Sequence, residues 1–168
     1  MHHGFIIKNC IDLVRFFKGD LTMKKLLLIL TSLLIVGCAG GPKATVEDDA
    51  KAKQFVVPTD NTANLYVYRN ENFGGAINMD ILIDNHRVAT TGPKTYIMKN
   101  LPAGEHKVEG IAAEGTSILT VNLLPNTIKF VWQEVKMGVF AARNKLQEVS
   151  AEVGKKGVQE SKLLLHEK

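Results

Sequence analysis

Residues 55–168 predict a mainly β domain, an antiparallel β-sandwich of about seven strands with a short C-terminal helix, and a signal peptide precedes it. Three observations carry the prediction. β-Branched and aromatic residues gather in short segments, and Gly, Pro, Asn and Asp punctuate them at intervals of about eight to twelve residues. Side chains within the segments alternate with the period of two that a strand requires. Of the 168 residues, 45% are apolar and 23% charged, which excludes disorder, collagen and a helical membrane bundle and leaves room for one domain.

The strands follow in order. Ala63 to Arg69 sets Leu65 and Val67 against Tyr66 and Tyr68, and Ile77 to Ile83 follows a turn-rich stretch from Asn70 to Ala76. Asp84-Asn85 predicts a two-residue hairpin turn, because both residues tolerate positive φ, and Arg87 to Thr91 returns. Thr95 to Lys99 and His106 to Ala113 flank a turn at Leu101-Pro102-Ala103-Gly104. Thr116 to Leu124 and Thr127 to Met137 predict a long hairpin around Pro125-Asn126, with Ile128, Phe130 and Trp132 on one face of its second strand. Lys145 to Val149 is the last strand, and Ser150 caps a helix over Ala151 to Leu164. Gly154 and Gly157 each weaken that helix by roughly 1 kcal/mol relative to Ala, so it depends on packing.

Ahead of the domain, residues 38–54 are small, polar and mixed in charge, and read as a tether. Thr45 to Gln54 within it predicts a short helix, with Thr45 as N-cap and Glu47, Asp48 and Asp49 in the first turn, where the helix dipole favours acids. Phe55, Val56 and Val57 form an apolar clip to the domain edge.

Residues 23–37 read as a lipoprotein signal peptide. Lys24 and Lys25 supply a positive n-region, and the eleven residues Leu26 to Val36 match an h-region while falling short of the roughly 20 needed to span a bilayer. Ile35-Val36-Gly37-Cys38 resembles the lipobox of bacterial lipoproteins, which implies diacylglyceryl transfer to the Cys38 sulfur and cleavage between Gly37 and Cys38. A buried core helix and a secretory peptide without lipidation are the alternatives. Residues 1–22 precede a second candidate initiator, Met23, and read as a misplaced start or else a long n-region. Five of the 21 basic and two of the 17 acidic side chains lie in residues 1–37, so the chain's +4 charge falls to +1 from Cys38 onward. Cys10 leaves with the leader, and two cysteines are too few for a disulfide framework or a zinc site.

The stretch Asp80 to Val88, then Thr95-Tyr96-Ile97 and Leu101 to Val108, with Leu65 to Arg69, Phe73-Gly74 and Val135 to Gly138, resembles a family of bacterial lipoproteins, domain of unknown function 2846. It is more loosely similar to the small β-sandwich repeats called PEGA domains. These are turn and core residues, with Asn85 in place of the commoner Gly. The resemblance implies a prealbumin-like or carboxypeptidase-regulatory-like sandwich with no assigned chemistry.

Few residues suggest catalysis. His86 and His106 each follow a turn without an HxH, HxxxH or CxxC partner, and read as solvated. Asp80 and Asp84 share a strand face, where a carboxylate pair competes with ordinary turn and edge roles. There is no G-x-S-x-G, P-loop or dinucleotide fingerprint. Tyr66, Tyr68, Arg69 and Phe73 form a candidate contact patch for a glycan or protein. The leading expectation is a non-catalytic module anchored through Cys38 to membrane lipid, without metal, cofactor or nucleic acid. It would contact an envelope protein or polymer from the periplasmic face of a Gram-negative outer membrane, since Ala39 rather than Asp follows the cysteine. The alternatives are an envelope hydrolase with dispersed catalytic residues and a small-ligand carrier.

Overall fold

A computed structural model describes residues 40–72 and 77–166. Residues 1–37 with their signal peptide, Cys38 and Phe73 lie outside the described residues. The strands are β1 (Thr62–Arg69), β2 (Met79–Ile83), β3 (His86–Thr91), β4 (Thr95–Pro102), β5 (Gly104–Ala112), β6 (Gly115–Leu123), β7 (Thr127–Met137), β8 (Ala142–Val149) and β9 (Lys162–Leu163). Two helices, α1 (Val46–Ala52) and α2 (Ala151–Gln159), flank them. One sheet runs β8-β7-β1-β4-β9 and the other β3-β2-β5-β6, which is a β-sandwich.

The core lies in two layers. Between the sheets, Leu65, Val67, Ile81, Ile97, Val108, Val121 and Val131 are excluded from solvent. On the outer face of the five-stranded sheet, Tyr66, Tyr68, Tyr96 and Phe130 pack under Ala52 of α1 and Val158 of α2. β1 is therefore buried on both faces from Ala63 to Arg69. It pairs parallel with β7 and antiparallel with β4, so the sheet is mixed where the sequence pattern predicts antiparallel strands.

The expected hairpin around Pro125-Asn126 is corrected. β6 pairs with β5 from Gly115 to Leu123, while β7 joins the other sheet beside β1 and β8. The Pro-Asn signal is real, with Asn126 at φ 55° and its N–H bonded to Thr62 O at 2.8 Å, but it turns the chain between layers. The Pro102–Gly104 corner also carries the chain from one sheet to the other. Asp84-Asn85 is the expected tight turn, at φ 50° and 65°.

Both helices start where the sequence places them. Thr45 accepts from Asp48 N and Ser150 from Val153 N. α2 ends at Gln159 rather than Leu164, because the chain leaves to pair Lys162 and Leu163 with Thr95 and Tyr96 and to bury Leu164. The expected tether is corrected too, since from Gly40 onward it is docked. Gly41 N donates to Thr90 O at 2.7 Å, Ala44 N to Leu163 O at 2.9 Å, and the Asp49 carboxylate accepts from Leu163 N and Lys53 Nζ. Of the expected clip, Phe55 packs on Tyr66 and Phe130, while Val56 and Val57 remain exposed.

The glycines of α2 acquire a positive reason. A Cβ on Gly154 would overlap the Phe130 ring and one on Gly157 the Tyr68 ring. Gly157→Ala should therefore lower stability on the order of 1–3 kcal/mol in urea unfolding, despite a propensity gain of about 1 kcal/mol. A more stable variant would show that α2 does not sit this close.

Candidate functional site

Burial removes the expected aromatic and cationic patch. Tyr66, Tyr68 and Arg69 are at most 2% exposed, the tyrosines because α1 and α2 cover the face on which they lie. The Tyr66 hydroxyl donates to Ala52 O at 2.8 Å, and its ring stacks on Phe130 at 5.2 Å. Burial pushes Tyr66 and Tyr68 up to about 12, so both phenols are neutral structural groups. Arg69 donates to Ile77 O at 2.7 Å beside Glu71, whose carboxyl burial holds above its ordinary value.

The turn at the end of β2 and β3 gathers the polar residues that the sequence singles out. Asp84 accepts from Lys107 N at 2.9 Å through one oxygen and from His106 Nδ1 at 2.6 Å through the other. His106 Nε2 lies 2.9 Å from Pro102 O. A carbonyl and a carboxylate both accept, so both ring nitrogens must donate and the ring is an imidazolium. Burial opposes that charge, but the Asp84 hydrogen bond, with the Pro102 carbonyl, outweighs it and raises the His106 pKa. Burial likewise tends to raise Asp84, and the bonds from His106 and Lys107 overcome it and lower the carboxyl. The expectation of a solvated His106 is thus corrected: its side chain is 11% exposed and clips the β2–β3 turn to the Pro102 corner. His86 stays exposed, with Nδ1 bonded to Asp84 O. Asp80 has its own partners, Arg87 at 2.9 Å and the Thr90 hydroxyl at 2.7 Å, so it forms no carboxylate pair with Asp84.

Beside this turn opens a cleft of about 650 Å³, with Ile83, Val88 and Leu101 on its apolar side and Asp84, His86 and Lys99 among its polar groups. Lys99 is the residue that strand reading missed. It stands opposite Leu65 in the β1–β4 register, between Ile97 and Leu101, and so occupies a core-facing position of β4. A break in the alternation at Lys99 was the available signal. None of the residues lining the cleft is Ser, Thr or Cys, so it brings no hydroxyl or thiol nucleophile to Asp84 or His86. Among the described residues no group of three His, Cys, Asp or Glu side chains is placed to hold a metal ion.

The clip has a pH signature. A raised His106 contributes stability fully below 6.5 and loses it as pH rises through the folded value, while a lowered Asp84 contributes above 3.8 and loses it as pH falls. Asp84→Asn keeps a residue suited to positive φ and removes the charge. Its thermal midpoint should lie furthest below that of the unsubstituted chain between pH 3.8 and 6.5, with the gap closing above. A gap independent of pH would mean that the pair is not ionised.

No family model matches the chain, and no solved structure matches it. A Haemophilus influenzae protein, named only as uncharacterized, is 34% identical over 131 residues that cover 78% of each chain. At that identity and coverage, this β-sandwich chain belongs to the same family as the Haemophilus influenzae protein.

Proposed function

We propose that the protein is a bacterial envelope lipoprotein, anchored through acyl chains on Cys38, whose sandwich works by contact rather than catalysis. The observation that carries this reading is the join between leader and fold. An n-region, an eleven-residue h-region and Ile35-Val36-Gly37-Cys38 end two residues before Gly40, the first described residue, whose N–H is already bonded to Asn78 Oδ1 of the domain. Cleavage before Cys38 would leave the described domain whole and place it close against the membrane, held by chains that each add about 0.8 kcal/mol per buried methylene. The likeness to the domain-of-unknown-function lipoproteins and Ala39 after the cysteine support a position on the periplasmic face of the outer membrane. His106 supports a role without catalysis, because neither ring nitrogen is free to take a proton.

A second reading, a small-ligand carrier, is favoured by Lys99, a cation on the core-facing side of β4 in a cleft that also has an apolar wall. It would take a small anion with an apolar body.

Cys38→Ala should leave an unacylated precursor, seen as a heavier band, and deplete the protein from the acyl-labelled fraction. Unchanged processing in this variant and under globomycin would overturn the lipoprotein reading. For the carrier, anilinonaphthalene sulfonate should brighten on the folded protein and lose that response in Lys99→Met. Equal responses would remove Lys99 from any ligand site.

A further inference from the structure

Three of the four most exposed large apolar side chains among the described residues sit at one place, the tip of the β7–β8 hairpin: Phe140 at 96%, Met137 at 79% and Val139 at 73%. The tip is held in this presentation. Glu114, in the turn between β5 and β6 of the other sheet, accepts from Val139 N at 2.7 Å and Phe140 N at 3.4 Å, and its own N–H donates to Ala142 O at 3.2 Å. Gly138 lets the carboxylate approach, since a Cβ there would overlap Glu114. The backbone is thus satisfied and braced while the apolar side chains point away from it. A soluble surface gains nothing from such an arrangement, and an apolar phase does.

The tip and the start of the domain lie at the same end of the sandwich. Gly41 is bonded to Thr90 O, and the next residue of that strand, Thr91, donates to Gln133 Oε1 of β7 at 2.6 Å. From Gln133, β7 runs four residues further to Met137, about 13 Å at strand rise. Cys38 is two peptide units from Gly40, a reach of at most about 7.6 Å. The His106 clip and the Asp84-Asn85 turn occupy the opposite end.

Charge points to the same partner. Lys136 and Arg143 are direct cross-strand neighbours just below the tip, with side chains 48% and 53% exposed. Each has one carboxylate on the domain side, Glu134 at 2.6 Å and Glu114 at 3.2 Å. Both side chains stay about half exposed beside those carboxylates, so lipid phosphates under an inserted tip can reach them as well.

We propose that the β7–β8 tip inserts Met137, Val139 and Phe140 into the surface of the bilayer that holds Cys38, so that the domain is fixed in orientation by two contacts. The proposal rests on the reading of Cys38 as acylated. Burying one such side chain is worth on the order of tenfold or more in partition, so loss of one is measurable.

The test uses the mature lipoprotein carrying Phe140→Cys, reconstituted in vesicles of phosphatidylethanolamine and phosphatidylglycerol. Acylation occupies the Cys38 sulfur, so the new thiol alone takes an environment-sensitive nitrobenzoxadiazole label, and Glu105→Cys labels the opposite end. The expected result is blue-shifted, severalfold brighter emission at position 140, quenched by brominated lipid, with aqueous emission at position 105. Adding Val139→Asp should leave the thermal midpoint unchanged and reduce the shifted population about tenfold. An acylated chain that floats with the vesicles while its label at 140 stays aqueous overturns the proposal, as does a shift that appears without vesicles, which would mean self-association. The mass of the N-terminal peptide reads the anchor separately. If the chain proves unacylated, Cys10 and Cys38 are changed to Ser so that position 140 alone is labelled: a label that still shifts keeps the tip and removes the anchor, and one that does not removes both.

Discussion

Strand β1 has no solvent face: seven consecutive residues, Ala63 to Arg69, are buried, with Leu65 and Val67 toward the second sheet and Tyr66 and Tyr68 toward the helices. A strand in that position needs a covering layer on each side, and the rest of the fold supplies them. The four-stranded sheet covers the aliphatic side. On the tyrosine side, the hydroxyls of Tyr66 and of its β4 neighbour Tyr96 find acceptors in the backbone carbonyls of Ala52 and Asp49 in α1. The two helices are short, seven and nine residues, and helices of that length owe their order to the packing they make.

That demand explains features which look unfavourable taken alone. Two glycines in a nine-residue helix cost helix propensity, yet they bring α2 down onto Phe130 and Tyr68. Acids in the first turn of α1 suit its dipole, and one of them, Asp49, also ties the helix to the last strand through Leu163 N. The residues expected to be a flexible lead-in to the domain are thereby part of its outer layer. Cys38 then stands two residues from the hydrogen-bonded structure, and under the proposed acylation an anchor so short would constrain orientation as well as location.

The two ends of the sandwich are built differently. One is closed by a charged clip, His106 and Asp84, that joins the β2–β3 turn to the corner between the sheets. The other is closed by Glu114, which crosses from one sheet to brace a hairpin of the other while its apolar residues face outward. A carboxylate bonded to backbone amides satisfies donors that a lipid interface could not, as the proposed insertion of this tip requires.

Much of this was legible from the chain. The Asp84-Asn85 turn, both helix N-caps and most strand spans are local signals, set by neighbouring residues and by period, and local physics suffices to read them. What the sequence could not decide was partnership. Pro125-Asn126 marks a turn, but whether β6 and β7 pair or part into different sheets depends on β5, β1 and β8. Alternation along Tyr66 and Tyr68 marks two faces, but only the docking of distant α1 and α2 turns an apparent contact patch into core. His106 reads as a solvated turn residue until Asp84, 22 positions earlier, is brought to 2.6 Å. Most elements could be read from the chain alone, because turns, caps and strand periods are fixed by residues close in the chain. The tertiary structure decided which faces are buried and which side chains meet, because burial and charge pairing belong to residues that only the folded chain brings together.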